Sequence, residues 1–181
     1  NNLEKYLKTH ERKFLTDSSI FLASLLKSSK YKSLVFLNYA PELESFLYWY
    51  QQLLAESLGK SGKGFLPIIS NVPKDHHSLL QLYLDGPKDK VFHIFSLEEK
   101  SKIKVNTKKF TGKINYLHNT DINKIKTAQK NAFIKALNKK KIPYMEIKIK
   151  NINEETLGEL FSYYILKISM IGKLIGINPF N

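Results

Sequence analysis

What most constrains this chain is an alternation of periods. Short apolar runs of strand length alternate with longer stretches in which apolar residues recur at helical spacing, and Gly or Pro punctuates many of the joints. Leu34-Val-Phe-Leu-Asn-Tyr39 has the pattern of a strand buried on both faces. Pro41 stands where a helix can begin, Glu42 and Glu44 suit the positive end of its dipole, and Gly59 offers a left-handed cap after Leu58. Leu66–Ser70 reads as a second strand, and Asp75 as the N-cap of a helix over His76–Asp85 that stops at Gly86-Pro87. Val91–Ser96 is a third strand and Ile103–Val105 a short further one. Asp121–Lys141 is a Lys-rich amphipathic helix with Ile122, Ile125, Phe133 and Leu137 inward, and Tyr144–Ile149 alternates as a strand does. Glu154–Leu174 is a helix whose apolar face holds Leu157, Leu160, Phe161, Tyr164, Ile165 and Ile168. Ahead of all these, Leu3–Lys27 has helical spacing through Leu7, Phe14, Ile20, Phe21, Leu25 and Leu26, with a break near Thr16-Asp17-Ser18. Phe110–His118 shows neither period.

Strands that alternate with helices predict an α/β fold, a three-layer αβα sandwich with a mainly parallel sheet. At 181 residues the chain has the length of one domain, and no repeat or Gly/Ser linker divides it. It contains no cysteine, which excludes disulfides, a thiol nucleophile and Cys-ligated metal. The net charge of +13 suggests phosphate neutralisation, and a basic nucleic-acid-binding domain is one alternative. The detail opposes it: Arg12 is the one arginine among the basic residues, whereas nucleic-acid readers favour the planar guanidinium fork. We expect a solvated Lys-rich surface and no nucleic-acid partner. Asn1–Lys13 is polar and charged, and Lys167 and Lys173 interrupt the apolar run over Leu160–Ile177, so no leader, no membrane partner and a cytoplasmic location are expected. The close on Asn178-Pro-Phe-Asn181 directly after that run suggests a chain cut from something longer.

No G-x-G-x-x-G and no P-loop pattern is present; Gly59-Lys-Ser-Gly-Lys-Gly64 lacks the spacing and precedes a strand rather than following one. Two clusters could carry chemistry. In Trp49-Tyr-Gln-Gln-Leu-Leu-Ala-Glu-Ser-Leu-Gly-Lys60, Gln52 and Glu56 stand one helical turn apart on one face, and Glu56 falls in the last turn, where the helix dipole disfavours a carboxylate charge and favours a general base. In Pro73-Lys-Asp-His-His-Ser-Leu-Leu-Gln-Leu-Tyr-Leu-Asp-Gly86, His77 falls in a first turn, where the positive dipole end favours a neutral imidazole. Adjacent His76 and His77 point about 100° apart on a helix and make a poor metal pair. His10, His93 and His118 form no ligand spacing with them, so no metal and no cofactor is expected.

Taken in order, the two clusters resemble the glucose-6-phosphate isomerase family, and Gly172-Lys-Leu-Ile-Gly-Ile-Asn-Pro-Phe-Asn181 resembles that family's closing motif in its compact bacterial form. The resemblance runs from about Val35 to Asn181 and is loose across Leu97–Lys141. It implies a sugar-isomerase (SIS-type) α/β domain over residues 31–181 behind a helical lead-in over 1–30, forming the C-terminal part of a longer enzyme. It implies interconversion of glucose 6-phosphate and fructose 6-phosphate through a cis-enediol(ate), without metal or cofactor. Glu56 then matches the base that carries the proton between C2 and C1, His77 the histidine that helps open the sugar ring, and Gln52 a substrate-contacting glutamine.

There are departures from the family pattern. Leu58 replaces the Asn of E-S-N-G-K, Pro73 replaces a common Gly, and Ile171 stands where a longer branch has glutamine and takes no role. The family's phosphate-binding Ser/Thr loop, its active-site Arg and its C-terminal Lys lie outside these residues, so the chain alone is expected to be nearly inactive. Glu56 precedes the second strand and His77 follows it, which separates them by roughly 15 Å. They are therefore expected to meet across a homodimer interface, as the family contributes that histidine. The alternative reading from the same motifs is a non-catalytic sugar-phosphate-binding SIS domain.

Overall fold

In the computed structural model, which describes residues 11–98, 101, 103–109 and 112–181, the strands β1 (Ser33–Asn38), β2 (Leu66–Asn71), β3 (Lys90–Leu97) and β4 (Tyr144–Ile149) form one sheet. All pairings are parallel and the order is β2-β1-β3-β4. The helices are α1 (Glu11–Lys27), α2 (Glu44–Leu58), α3 (Lys74–Asp85), α4 (Ile122–Lys140) and α5 (Glu154–Ile175). One core, with α1, α2 and α5, lies on one face of the sheet; the other, with α3 and α4, lies on the opposite face. This is the expected three-layer αβα sandwich, with a sheet that is parallel throughout. β1 and β3 pair with each other in the middle, Phe36 opposite His93, and both are buried along nearly their whole length, as unbroken apolar runs require. The chain leaves β1 through α2 in one direction and leaves β2 through α3 in the other. No helix among the described residues is long and apolar enough to cross a membrane.

Several local expectations need correction. The first helix runs unbroken through Thr16-Asp17-Ser18, because the Ser18 and Ser19 hydroxyls turn back to the Leu15 carbonyl at 3.0 and 2.7 Å and leave the helical ladder intact. Its buried stripe is Leu15, Leu22, Ala23 and Leu26, while Phe14 and Ile20 face outward; Leu3 and Leu7 lie outside the described residues. Asp75 is not an N-cap: the helix begins a residue before it, at Lys74, and the Asp75 carboxylate accepts a bond from the Asn71 N–H at 2.9 Å. Gly59 is not left-handed (φ −78°); it is needed because a Cβ there would sit 2.4 Å from the Ala55 carbonyl oxygen. Ile103–Val105 is not a strand, since Lys104 makes only an isolated bridge to Asp121. Ile122 is exposed, and Lys130 takes an inward place on α4, donating to Ser96 Oγ at 3.1 Å and to Glu146. On α5, Phe161 and Ile165 are exposed; packing against both α1 and α2 turns the buried stripe to Leu160, Tyr163, Tyr164, Lys167, Ile168 and Ile171.

Candidate active site

α2 runs antiparallel to β2, and two side-chain bonds fix that alignment. At the carboxyl end of β2, Asn71 Nδ2 donates to Glu44 Oε1 at 2.7 Å; at its amino end, Gln51 Nε2 donates to the Pro67 carbonyl at 2.9 Å. The last turn of α2, with Glu56, therefore lies beyond the amino edge of the sheet. Gln52 and Glu56 are both exposed, and Gln52 Nε2 donates to Glu56 Oε1 at 3.0 Å. That bond fixes one carboxylate oxygen and leaves Oε2 available, an arrangement suited to a proton acceptor whose direction matters.

His77 stands at the other edge. It is the fourth residue of α3, which starts just beyond the carboxyl end of β2, and it is exposed. Twelve residues of helix separate Glu44, at His77's edge, from Glu56, a distance of about 18 Å. Gln52 and Glu56 are brought together, and His77 is kept apart from both.

The seat of His77 is built by residues that motif reading passes over. Asn38, at the end of β1, accepts from the Ala40 N–H at 3.0 Å with its side-chain oxygen and donates its amide to Asn71 Oδ1 at 3.1 Å. Asn71 thus ties together the ends of β1 and β2, the start of α2 and, through its own N–H, the first turn of α3. His76 is turned inward, with Nε2 at 3.1 Å from the Tyr39 hydroxyl and its ring 5.1 Å from that of Phe133. Burial holds the His76 imidazole below the usual histidine range, against the opposing pull of the Asp75 carboxylate. His76 therefore anchors α3 while His77 faces solvent. Asparagines at two strand ends were the available signal, because short amides there commonly satisfy backbone groups where the ladder stops.

A cavity of about 200 Å³ opens at the amino edge on the opposite face of the sheet, among Lys30, Tyr31, Tyr83, Lys90 and Lys141, and includes none of Gln52, Glu56 and His77. The Lys88 ammonium beside it is spent on the Leu84 carbonyl at the end of α3, and Lys90 on Asp89 at 2.7 Å and the Pro87 carbonyl at 3.1 Å. These lysines complement the negative ends of helices and turns.

Comparison with known proteins gives a consistent result. No family model matches the chain. The glucose-6-phosphate isomerase of Mycoplasmopsis synoviae strain 53 is 35% identical over 161 residues, 87% of this chain and 37% of that protein. The glucose-6-phosphate isomerase of Methanocaldococcus jannaschii is 36% identical over 153 residues, 81% of this chain and 36% of that protein. The chain thus spans little more than a third of the length of these relatives. Among solved structures, a hypothetical protein of Thermus thermophilus superposes with a TM-score of 0.87 at 22% identity, over 98% of this chain and 44% of that one. A glucose-6-phosphate isomerase from Chlamydia trachomatis superposes with a TM-score of 0.68 at 19% identity, over 83% of this chain and 32% of that one. At these identities the two structures establish the shared fold.

Proposed function

We propose that this chain, related in sequence to the glucose-6-phosphate isomerases over 81–87% of its own length, is the C-terminal portion of an aldose–ketose isomerase and carries its proton-transferring carboxylate. The observation that carries the reading is the Gln52–Glu56 pair, supported by the family resemblance and by the 3.0 Å bond that Gln52 Nε2 donates to Glu56 Oε1. On this reading, residues 31–181 are the SIS-type domain and residues 1–30 a helical lead-in. The substrate is a sugar phosphate, glucose 6-phosphate exchanging with fructose 6-phosphate, a step of glycolysis and gluconeogenesis, and the enzyme works in the cytoplasm as a homodimer.

The chemistry follows from a carboxylate with one oxygen fixed and one open. In the open-chain aldose, Glu56 Oε2 takes the proton from C2; the electron pair moves into a C1–C2 double bond and leaves a cis-enediolate. The protonated Glu56 then returns the proton to C1 while the proton of the C2 hydroxyl passes to the C1 oxygen, and the ketose results with no net change in oxidation. Gln52 holds the carboxylate in the plane that serves both carbons, and His77 of a second copy moves the proton that opens the ring. The phosphate anchor belongs to residues outside this chain, so the chain alone turns over poorly.

Turnover of fructose 6-phosphate by the intact protein, coupled to oxidation of the glucose 6-phosphate formed, tests this. Glu56→Gln keeps shape and hydrogen bonding but removes the base, and is expected to lower kcat by about 10²–10⁴-fold with substrate binding spared. A Glu56→Gln protein with unchanged turnover would refute the assignment. Binding of the sugar phosphate without turnover in either protein would favour the non-catalytic SIS reading instead.

A further inference from the structure

The Gly59-Lys-Ser-Gly-Lys-Gly64 segment presents two ammonium groups from one tight turn, and neither points into an open cradle. Lys63 Nζ donates to the carbonyl of Ile175, the last residue of α5, at 2.8 Å. Lys60 Nζ donates to the Asn178 carbonyl at 3.2 Å and to the main-chain oxygen of Asn181. Carbonyls at a helix C-terminus lack intrahelical partners and carry the negative end of its dipole, so ammonium donors complement them twice over. The turn is wound to allow this: Ser61 (φ 53°), Gly62 (φ 70°) and Gly64 (φ 114°) are all left-handed. A Cβ on Gly64 would come within 3.0 Å of Gly59 Cα and 3.2 Å of the Leu58 carbonyl oxygen, so the loop closes directly onto the end of α2.

The opposite partner is shaped to receive it. α5 ends at left-handed Gly176, and the Ile177 N–H returns to the Gly172 carbonyl at 2.8 Å. The chain then folds back so closely that a Cβ on Gly172 would lie 3.0 Å from both the Ile177 carbonyl oxygen and Pro179 Cδ. The tail after α5 is thus laid on its own helix and pinned across to the loop that follows Glu56.

We propose that Lys60 and Lys63 are positioning residues, a latch that docks the end of α5 and the 177–181 segment beyond it on the end of α2 and thereby fixes the Glu56 carboxylate for proton transfer. The role in proton transfer rests on the isomerase reading; the latch itself does not. The test replaces both lysines with Met in the intact protein, beside a Lys60→Arg, Lys63→Arg pair that keeps the donors. Amide exchange at Ile177 and Phe180 is expected to speed up about tenfold in the Met pair and to stay near wild type in the Arg pair. With fructose 6-phosphate as probe, kcat is expected to fall about 10–100-fold in the Met pair, with KM within about threefold. Unchanged exchange in the Met pair overturns the latch. Faster exchange with unchanged kcat, or a loss confined to KM, overturns the positioning role. If the wild-type protein converts no sugar phosphate, the isomerase reading fails and takes the positioning role with it, while the exchange rates still decide whether the latch exists.

Discussion

Lys167 carries an amino group into the middle of the molecule. It is fully buried on α5, with Nζ 3.6 Å from Met145 Sδ, 3.5 Å from the Tyr163 hydroxyl and 5.9 Å from the centre of the Tyr164 ring, and among the described residues it makes no ion pair. Burial pulls its pKa from the usual 10.5 down to about 7. His93, also fully buried and with neither ring nitrogen hydrogen-bonded, is held well below the usual histidine range, by burial first and by Lys167 second. Between pH 7 and 10.5 the unfolded chain keeps the Lys167 proton that the folded chain gives up, so stability rises with pH across that window. Below the ordinary histidine value the unfolded chain takes up a His93 proton that the folded chain refuses, so stability falls further as pH drops. Both groups act in the same direction. Lys167→Met is therefore expected to stabilise the protein at pH 6 by about 2–4 kcal/mol and to flatten the rise between pH 7 and 10, read from urea midpoints at several pH values. A wild-type midpoint that does not change between pH 7 and 10 would overturn this. In the sequence Lys167 reads only as an interruption of an apolar run. Its burial was not legible there, because the side-chain period shows that a position faces a neighbour but not how many neighbours surround it.

At the level of elements the reading was largely legible, and the misses share a cause. Within the described residues every long element appears close to where its period placed it, because amphipathic spacing is a property of the element alone. The errors fall where a second body decides. α5 lies against α1 and α2 together, so its buried stripe turns from Phe161 and Ile165 toward Tyr163, Lys167 and Ile171. The inward place expected for Ile122 goes to Lys130, because Glu146 and Ser96 supply polar partners across the layer. Gly59 was legible as a helix stop, but not as a close approach. That distinction has a measurable consequence. Gly59→Ala drives a Cβ against the Ala55 carbonyl oxygen, so the last turn of α2 must move; a cost of about 1–3 kcal/mol is expected and, on the isomerase reading, a loss of turnover as Glu56 shifts. Gly62→Ala meets nothing within 4 Å and strains only φ, so about 1 kcal/mol and little change in activity are expected. Denaturant midpoints and turnover of the two variants side by side check the contrast. Equal losses of activity would show that loop strain, rather than displacement of α2, governs the site.

The whole molecule sets the candidate residues a problem that no single fold of the chain solves. Gln52 and Glu56 were legible as a pair, since one helical turn suffices to place them together, and the 3.0 Å bond between them agrees. Their relation to His77 was legible only as a separation, with β2 lying between them. The Asn71–Glu44 and Gln51–Pro67 bonds hold α2 along β2 so that Glu56 cannot reach the edge where α3 begins. If both residues serve one substrate, two copies must supply them, and symmetry then demands two equivalent sites, each with Glu56 of one copy and His77 of the other. This makes a quantitative prediction for the intact protein. Glu56→Gln and His77→Ala variants, each expected on the isomerase reading to be nearly inactive alone, are unfolded together and refolded as a mixture. A mixed dimer gathers both lesions in one site and leaves the other site wholly wild type. With half of the dimers mixed and one of two sites restored in each, about a quarter of wild-type activity should return. If Glu56 and His77 instead act within one chain, every site in the mixed dimer keeps one lesion and no activity returns. Recovery in the mixture therefore separates the two arrangements without depending on the rate of either variant.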